Sequence, residues 1–128
     1  MKKTNLEGAV FTGEGNGKRY LALPWVNQQL KEKLGYSPYL GTLNLKLTPE
    51  NIKRKKKLLK AEPSIICPPE GYCVGLLFKA SIKDVECAVV VPQMENYPDD
   101  VLEIIAHANL RDKLKLKDGY VVNVSVQT

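Results

Sequence analysis

Thr42 and Asn44 stand two residues apart in the stretch Gly41-Thr42-Leu43-Asn44-Leu45-Lys46-Leu47. Leu43, Leu45 and Leu47 alternate with Asn44 and Lys46, a period of two that predicts a half-buried strand entered through a glycine. Thr42 and Asn44 then share the outward face. A hydroxyl and an amide oxygen side by side on rigid backbone suit a hard cation or a phosphate-bearing ligand. The competing interpretation is an ordinary solvated strand face.

A second stretch with chemical potential is Gly13-Glu14-Gly15-Asn16-Gly17-Lys18-Arg19. Glycines at alternate positions let backbone approach a ligand closely and turn its N–H groups inward. The segment falls short of a Walker A loop, because Thr12 replaces its first glycine and Arg19 replaces the Ser or Thr after the lysine. It is not the dinucleotide fingerprint either, since Lys18 takes the place of the third glycine. Alone, the stretch is equally consistent with a hairpin loop.

Other chemistries are poorly supplied. His107 is the single histidine, and Cys67, Cys73 and Cys87 are irregularly spaced, so neither a zinc site nor a Cys–His or Ser–His–Asp constellation is expected. Buried thiols in a reducing compartment are the expectation. Lys53, Arg54, Lys55, Lys56, Lys57 and Lys60 form an acid-free cationic run; without those six the net charge falls from +5 to −1. The run could hold nucleic-acid phosphates. With no aromatic residues interleaved, it reads instead as a solvated connection that could steer an anionic ligand.

The elements that must position these residues follow from the patterning. At 128 residues, 44% hydrophobic and 26% charged, the chain suits one globular domain. No apolar run approaches the roughly 18 residues of a membrane span, and no secretion signal opens the chain, so a cytoplasmic location is expected. Strands are predicted over Leu6–Thr12, Tyr20–Leu23, Ala61–Cys67, Tyr72–Ala80 and Val85–Pro92, the last two joined as a hairpin through Ile82-Lys83-Asp84, with a final strand over Tyr120–Val126. Pro24 opens a helix whose Val26, Leu30 and Leu34 share one face and whose stop is Gly35. Gln93–Asp100 is a polar loop, a candidate lid. Val101–Leu114 fits either a helix or a strand followed by a short helix, and periodicity leaves both open. Six or seven strands with two short helices suggest a closed or nearly closed β-barrel.

The combination is more specific than its parts. A Gly-x-Gly-x-Gly stretch followed by Tyr20-Leu21, then Leu34-Gly35-Tyr36, Pro38-Tyr39 and Gly41-Thr42-Leu43-Asn44-Leu45-Lys46-Leu47, resembles the CTP-dependent riboflavin kinases of archaea. Ala88-Val89-Val90-Val91-Pro92, Leu102-Glu103-Ile104-Ile105-Ala106, Leu110-Arg111-Asp112 and Leu116-Lys117-Asp118-Gly119 are similar to that family's later blocks, in the same order. The resemblance runs from Gly8 onward and is loosest between Thr48 and Gly71. Some family members add an N-terminal DNA-binding domain, for which this length leaves no room.

The resemblance implies a mainly β, six-stranded cradle-loop barrel and favours the strand alternative for Leu102–Ala106. It implies transfer of the γ-phosphate of CTP to the 5′-hydroxyl of riboflavin, giving FMN and CDP. Carried over by position, Gly13, Glu14, Gly15, Asn16, Gly17 and Lys18 would wrap the nucleotide's phosphates. Ala108, Asn109, Leu110 and Arg111 would add nucleotide contacts, including the cytosine edge. Thr42 and Asn44 would hold Mg²⁺, and Glu103 would bind the ribityl tail and orient, or take a proton from, the hydroxyl.

Three positions depart from the family's pattern: Glu95 where a flavin-contacting threonine is usual, His107 in place of a proline, and Tyr120 in place of a second aspartate. Glu95 could accept a hydrogen bond from the ribityl chain or flavin, or mark a different acceptor. A non-catalytic nucleotide- or flavin-binding barrel, or a nucleic-acid module using Lys53–Lys57, is the alternative. A monomer acting on riboflavin and CTP, with no membrane or nucleic-acid partner, is the primary expectation.

Overall fold

The computed structural model describes residues 3–13, 15–60, 64–66, 75–94 and 97–127, with the backbone alone at 16, 17 and 64–66. Seven strands and four helices follow in the order β1 (Lys3–Phe11), α1 (Asn16–Leu21), α2 (Pro24–Leu34), β2 (Leu43–Leu47), α3 (Pro49–Leu58), β3 (Ser64–Ile66), β4 (Gly75–Ile82), β5 (Val85–Pro92), β6 (Val101–Ala106), α4 (Leu110–Lys113) and β7 (Val121–Gln127). All pairings are antiparallel, in the order β3-β4-β5-β6-β2-β1-β7. Ala80 and Ser81 of β4 also pair with Val126 and Ser125 of β7. That contact closes six strands into a barrel and leaves β3 as an appendage on β4. The expected mainly β barrel is present.

Alternation decides which side chains fill the barrel. Leu6 and Val10 of β1, Leu43, Leu45 and Leu47 of β2, Leu102 and Ile104 of β6, and Val122, Val124 and Val126 of β7 point into one buried cluster. Each fully buried aliphatic side chain of this kind stabilises the fold by about 1.5–3 kcal/mol. The β4–β5 hairpin turns through Lys83 (φ 47°) and Asp84 (φ 66°), positive values that match the twist of the flanking strands.

A second core lies on the outer face. Leu77, Ala88, Val90 and Ile105 from β4, β5 and β6 meet Leu21 of α1 and Val26, Leu30 and Leu34 of α2. This is why β5 is buried continuously from Cys87 to Pro92 and does not alternate. The predicted helix over 24–34 forms, capped at Gly35 (φ 80°).

Four expectations are corrected. Tyr20 and Leu21 end α1 and Ala22-Leu23 turn into α2; Tyr20–Leu23 is no strand. An apolar run of four residues suits either state, and covering the outer sheet face decides it. Half of the glycine-rich stretch is likewise helical, with Gly15 (φ 86°) as the N-terminal boundary of α1. The cationic run is solvated at every position but Lys55, yet it is no mere connection: through Lys57 it lies in helix α3, whose Asn51, Lys55 and Leu58 are buried on one face. Among the described residues four helices stand where two were expected. Asn51 docks α3 by accepting from the Glu7 amide at 2.9 Å and donating to Thr48 Oγ1 at 2.8 Å. The alternative left open at 101–114 resolves as strand β6 followed by α4. No helix among the described residues is long and apolar enough to cross a membrane.

Candidate active site

Strand β2 lies between β1 and β6, with Asn44 opposite Phe11 on one side and Glu103 on the other. Cross-strand partners share a face, so Asn44 and Glu103 both point outward, away from the Leu43–Ile104 layer. Thr42 Oγ1 lies 3.4 Å from Asn44 Oδ1 and 3.3 Å from Glu103 Oε1, and its single proton can serve either acceptor. Three oxygen-bearing side chains therefore converge at the edge of the outer-face core, two neutral and one carboxylate.

Gly13 packs against this group. A Cβ at position 13 would stand 2.7 Å from Asn44 Nδ2, closer than real Cβ contacts allow. The glycine is needed here for close approach, which joins the end of β1 to the outward face of β2.

A cavity of about 230 Å³ opens beside Thr42. Its walls are Lys18 from α1, the segment from Tyr39 to Leu43, Ile104 and Ala106 of β6, and Ala108 to Arg111. That is below the roughly 300–1,000 Å³ of most small-molecule sites, room for only part of a ligand of that size. Asn109 orders one wall: its Oδ1 accepts from the Arg111 and Asp112 amides at 3.0 and 3.3 Å, the capping geometry that starts α4. Its Nδ2 donates to the Tyr39 hydroxyl at 3.3 Å. Arg111 is aimed by Asp118, 2.9 Å away, and donates to Thr12 Oγ1 at 3.2 Å; Thr12 in turn donates to Asp118 at 3.0 Å. Two cationic side chains, Lys18 and Arg111, thus line one cavity.

The opposite flank of Glu103 carries contacts that sequence reasoning missed. Tyr97 donates its hydroxyl to Glu103 Oε2 at 2.5 Å. Burial, together with the Glu103 carboxylate that accepts its hydrogen bond, pushes the Tyr97 hydroxyl well above the usual 10. Lys55 is only 3% exposed. Its ammonium donates to the carbonyls of Val101 (2.9 Å) and Asp99 (3.4 Å) and stands 5.4 Å from the Tyr97 ring centroid. Burial lowers the Lys55 pKa, opposed by Asp99, Asp100 and Glu103. Neither residue carried a sequence signal, because Tyr97 lay in an apparently polar loop and Lys55 among five other cations.

The expected site residues are brought together unevenly. Thr42, Asn44 and Glu103 form one cluster, Gly13 abuts it, and Lys18, Ala108, Asn109, Leu110 and Arg111 share the adjoining cavity. Gly15 is the N-terminal boundary of α1 and does not line that cavity, and the backbone of Asn16 and Gly17 opens the helix. Glu14 and Glu95 fall outside the described residues, as do Cys67 and Cys73. His107 contacts the Ser37 carbonyl at 3.2 Å and the Tyr36 ring edge-on, and Tyr120 is half exposed; neither lines the cavity.

Of the cationic run, Arg54 pairs with Glu50 and Lys56 with Asp99. With Lys55 directed inward, fewer charges face outward than the sequence implied.

Comparison with known proteins bears on this geometry. A family model labelled CTP-dependent riboflavin kinase, and described as domain of unknown function DUF120, matches residues 10–126. The chain is 42% identical to the riboflavin kinase of Pyrobaculum aerophilum, over 94% of this chain and 60% of that protein. It is 38% identical to the riboflavin kinase of Archaeoglobus fulgidus, over 94% of this chain and 54% of that protein. For the riboflavin kinase of Ignicoccus hospitalis the identity is 39%, over 98% of this chain and 72% of its relative. The chain therefore spans between about half and three-quarters of the length of these relatives. The matched span takes in the glycine segment, the Thr42–Asn44–Glu103 cluster and the Arg111 wall together, and the chain belongs to the CTP-dependent riboflavin kinase family.

Proposed function

We propose that the protein transfers the γ-phosphate of CTP to the 5′-hydroxyl of riboflavin, releasing FMN, CDP and a proton. The observation that carries this reading is the convergence of Glu103, Thr42 and Asn44 beside a cavity lined by Lys18 and Arg111. A carboxylate that can orient or deprotonate an alcohol thus adjoins two cations that can neutralise phosphate. Phosphoryl transfer asks a protein mainly for those two things.

In this reading Lys18 and Arg111 receive the nucleotide's phosphates, and the backbone from Gly13 to Lys18 closes over them. The Ala108–Arg111 wall, held by the Asn109 cap and Asp118, presents polar groups to the cytosine edge. Glu103 accepts the proton of the riboflavin 5′-hydroxyl as its oxygen bonds to the γ-phosphorus and the bond to the CDP oxygen breaks.

Mg²⁺ fits the donor set. Thr42 Oγ1 and Asn44 Oδ1 are hard neutral oxygens beside a carboxylate, and Mg²⁺ takes such ligands while keeping several waters. Among the described residues no group of three His, Cys, Asp or Glu side chains is assembled to hold a metal, so phosphate and water would complete the shell. When bound, the ion neutralises phosphate charge and polarises the transferring group.

The test is a turnover assay crossing CTP, ATP, GTP and UTP with riboflavin in the presence of Mg²⁺, with flavin products separated by chromatography. FMN is expected with CTP and little with the other three. Absence of FMN from CTP, while a family member assayed in parallel produces it, would leave a nucleotide- or flavin-binding barrel.

A further inference from the structure

Glu103 is held from two sides by groups with different consequences. Its Oε1 faces Thr42, at the edge of the cavity, whereas its Oε2 accepts a hydrogen bond from the Tyr97 hydroxyl at 2.5 Å. A carboxylate whose second oxygen is committed to a fixed donor cannot rotate freely about its terminal torsion. The first oxygen then keeps a defined direction.

Tyr97 is in turn fixed by α3. Lys55 stands over its ring and ties down the backbone on either side of Asp100 through the Asp99 and Val101 carbonyls. Val101 is the first residue of β6, two before Glu103. The ammonium thus fastens both the segment carrying Tyr97 and the start of the strand carrying Glu103. Cation, aromatic ring and carboxylate form a series in which each member restrains the next. Lys55 can do this because Asn51, Lys55 and Leu58, at spacings of four and three, make the inward face of α3. A surface-solvating lysine would not be 3% exposed with two carbonyl partners.

We propose that Tyr97 is a positioning residue that fixes the Glu103 carboxylate for proton transfer, and that Lys55 holds Tyr97 in register. The inference rests on the reading of Glu103 as the group that takes the riboflavin hydroxyl proton.

Steady-state kinetics on the whole chain test it, using wild type, Tyr97→Phe, Glu103→Gln and the double variant, with CTP, riboflavin and Mg²⁺. Tyr97→Phe keeps the ring beneath Lys55 and removes only the donor. It should lower kcat by about 10- to 100-fold, the scale of a small misplacement of a reacting group, while KM for CTP stays within about twofold of wild type. In the Glu103→Gln background the same substitution should add no further loss, because Tyr97 acts through Glu103. CTP-binding stoichiometry by calorimetry ensures that rates are compared per folded site. Lys55→Met should lower kcat in the same direction and add little to Tyr97→Phe; if that variant does not fold, the Tyr97 cycle alone decides.

A Tyr97→Phe enzyme with wild-type kcat, or one whose loss multiplies independently with that of Glu103→Gln, would overturn the positioning role and leave the kinase reading standing. Wild-type protein that makes no FMN would overturn the kinase reading and this role with it. A Glu103→Gln variant with wild-type kcat would remove Glu103 as proton acceptor, and Tyr97 as its positioner.

Discussion

At the scale of single residues, the proposed site rests on three oxygens brought together by strand pairing. Thr42 and Asn44 follow from the period of two in β2, and Glu103 joins them because β6 pairs with β2 in a register that places it opposite Asn44. Removing the oxygens without disturbing the strand separates chemistry from folding. Thr42→Val preserves shape and β-branching, and Asn44→Leu exchanges similar volumes at a half-buried position. Each should cut FMN formation by more than about 100-fold, the order expected for losing a group that stabilises transferring charge. Thermal midpoints should stay within a few degrees of wild type, since both substitutions keep side-chain volume at half-buried positions and neither opens a cavity in the core. Wild-type turnover in both would remove them as ligands.

At the scale of elements, the site is a junction. The end of β1 is pressed onto β2 at Gly13, α1 brings Lys18, and α4 brings Arg111. Gly13→Ala probes the junction directly. Its methyl group would have to displace the Asn44 amide, the far end of a half-buried side chain, so the fold should survive while Asn44 moves. FMN formation should fall at least about tenfold and the affinity for riboflavin should hold, as read by quenching of flavin fluorescence. An unchanged rate would show that the glycine segment tolerates a side chain at its closest approach. Helix α3 makes a different junction, carrying the sequence's strongest charge run yet turning Lys55 and Asn51 inward. A cationic composition says nothing about which lysine faces the barrel.

At the scale of the whole molecule, burial of weak acids ties stability to alkaline pH. Burial, with Glu86 nearby, raises the Cys87 thiol from 9.0 to about 12, and burial with Cys87 and Glu86 raises the Tyr36 hydroxyl from 10.0 to about 12. The Tyr97 hydroxyl is raised as well. In each case the folded protein keeps a proton that the unfolded chain releases. The stability these groups contribute is complete below the unfolded values and is lost as pH rises from about 9 toward 12. Lys55, lowered from 10.5 by burial, works in the opposite sense just below that value. Urea midpoints should therefore fall between pH 9 and pH 11, one proton contributing at most about 1.4 kcal/mol per pH unit. Cys87→Ala should flatten the part of the decline that begins near pH 9, and an unchanged slope would remove Cys87 as its source.

The sequence by itself determined what local periodicity and punctuation can encode. The alternation of β2, the amphipathic face and glycine stop of α2, the Lys83-Asp84 hairpin and the order of the family's blocks were all legible. With them came Thr42, Asn44, Glu103 and the Ala108–Arg111 wall as candidate site residues. Tertiary structure decided what depends on contacts between distant segments. Tyr20-Leu21 became helical because Leu21 covers the outer face of the sheet. The cationic run became a docked helix because Asn51 and Lys55 found acceptors and donors on β1 and at the start of β6. Tyr97 joined the site because its ring lies under Lys55 and its hydroxyl reaches Glu103. Chain closure between β4 and β7 and pairing of β2 with β6 bring these groups within hydrogen-bond range, and neither pairing leaves a trace in the spacing of residues along one strand.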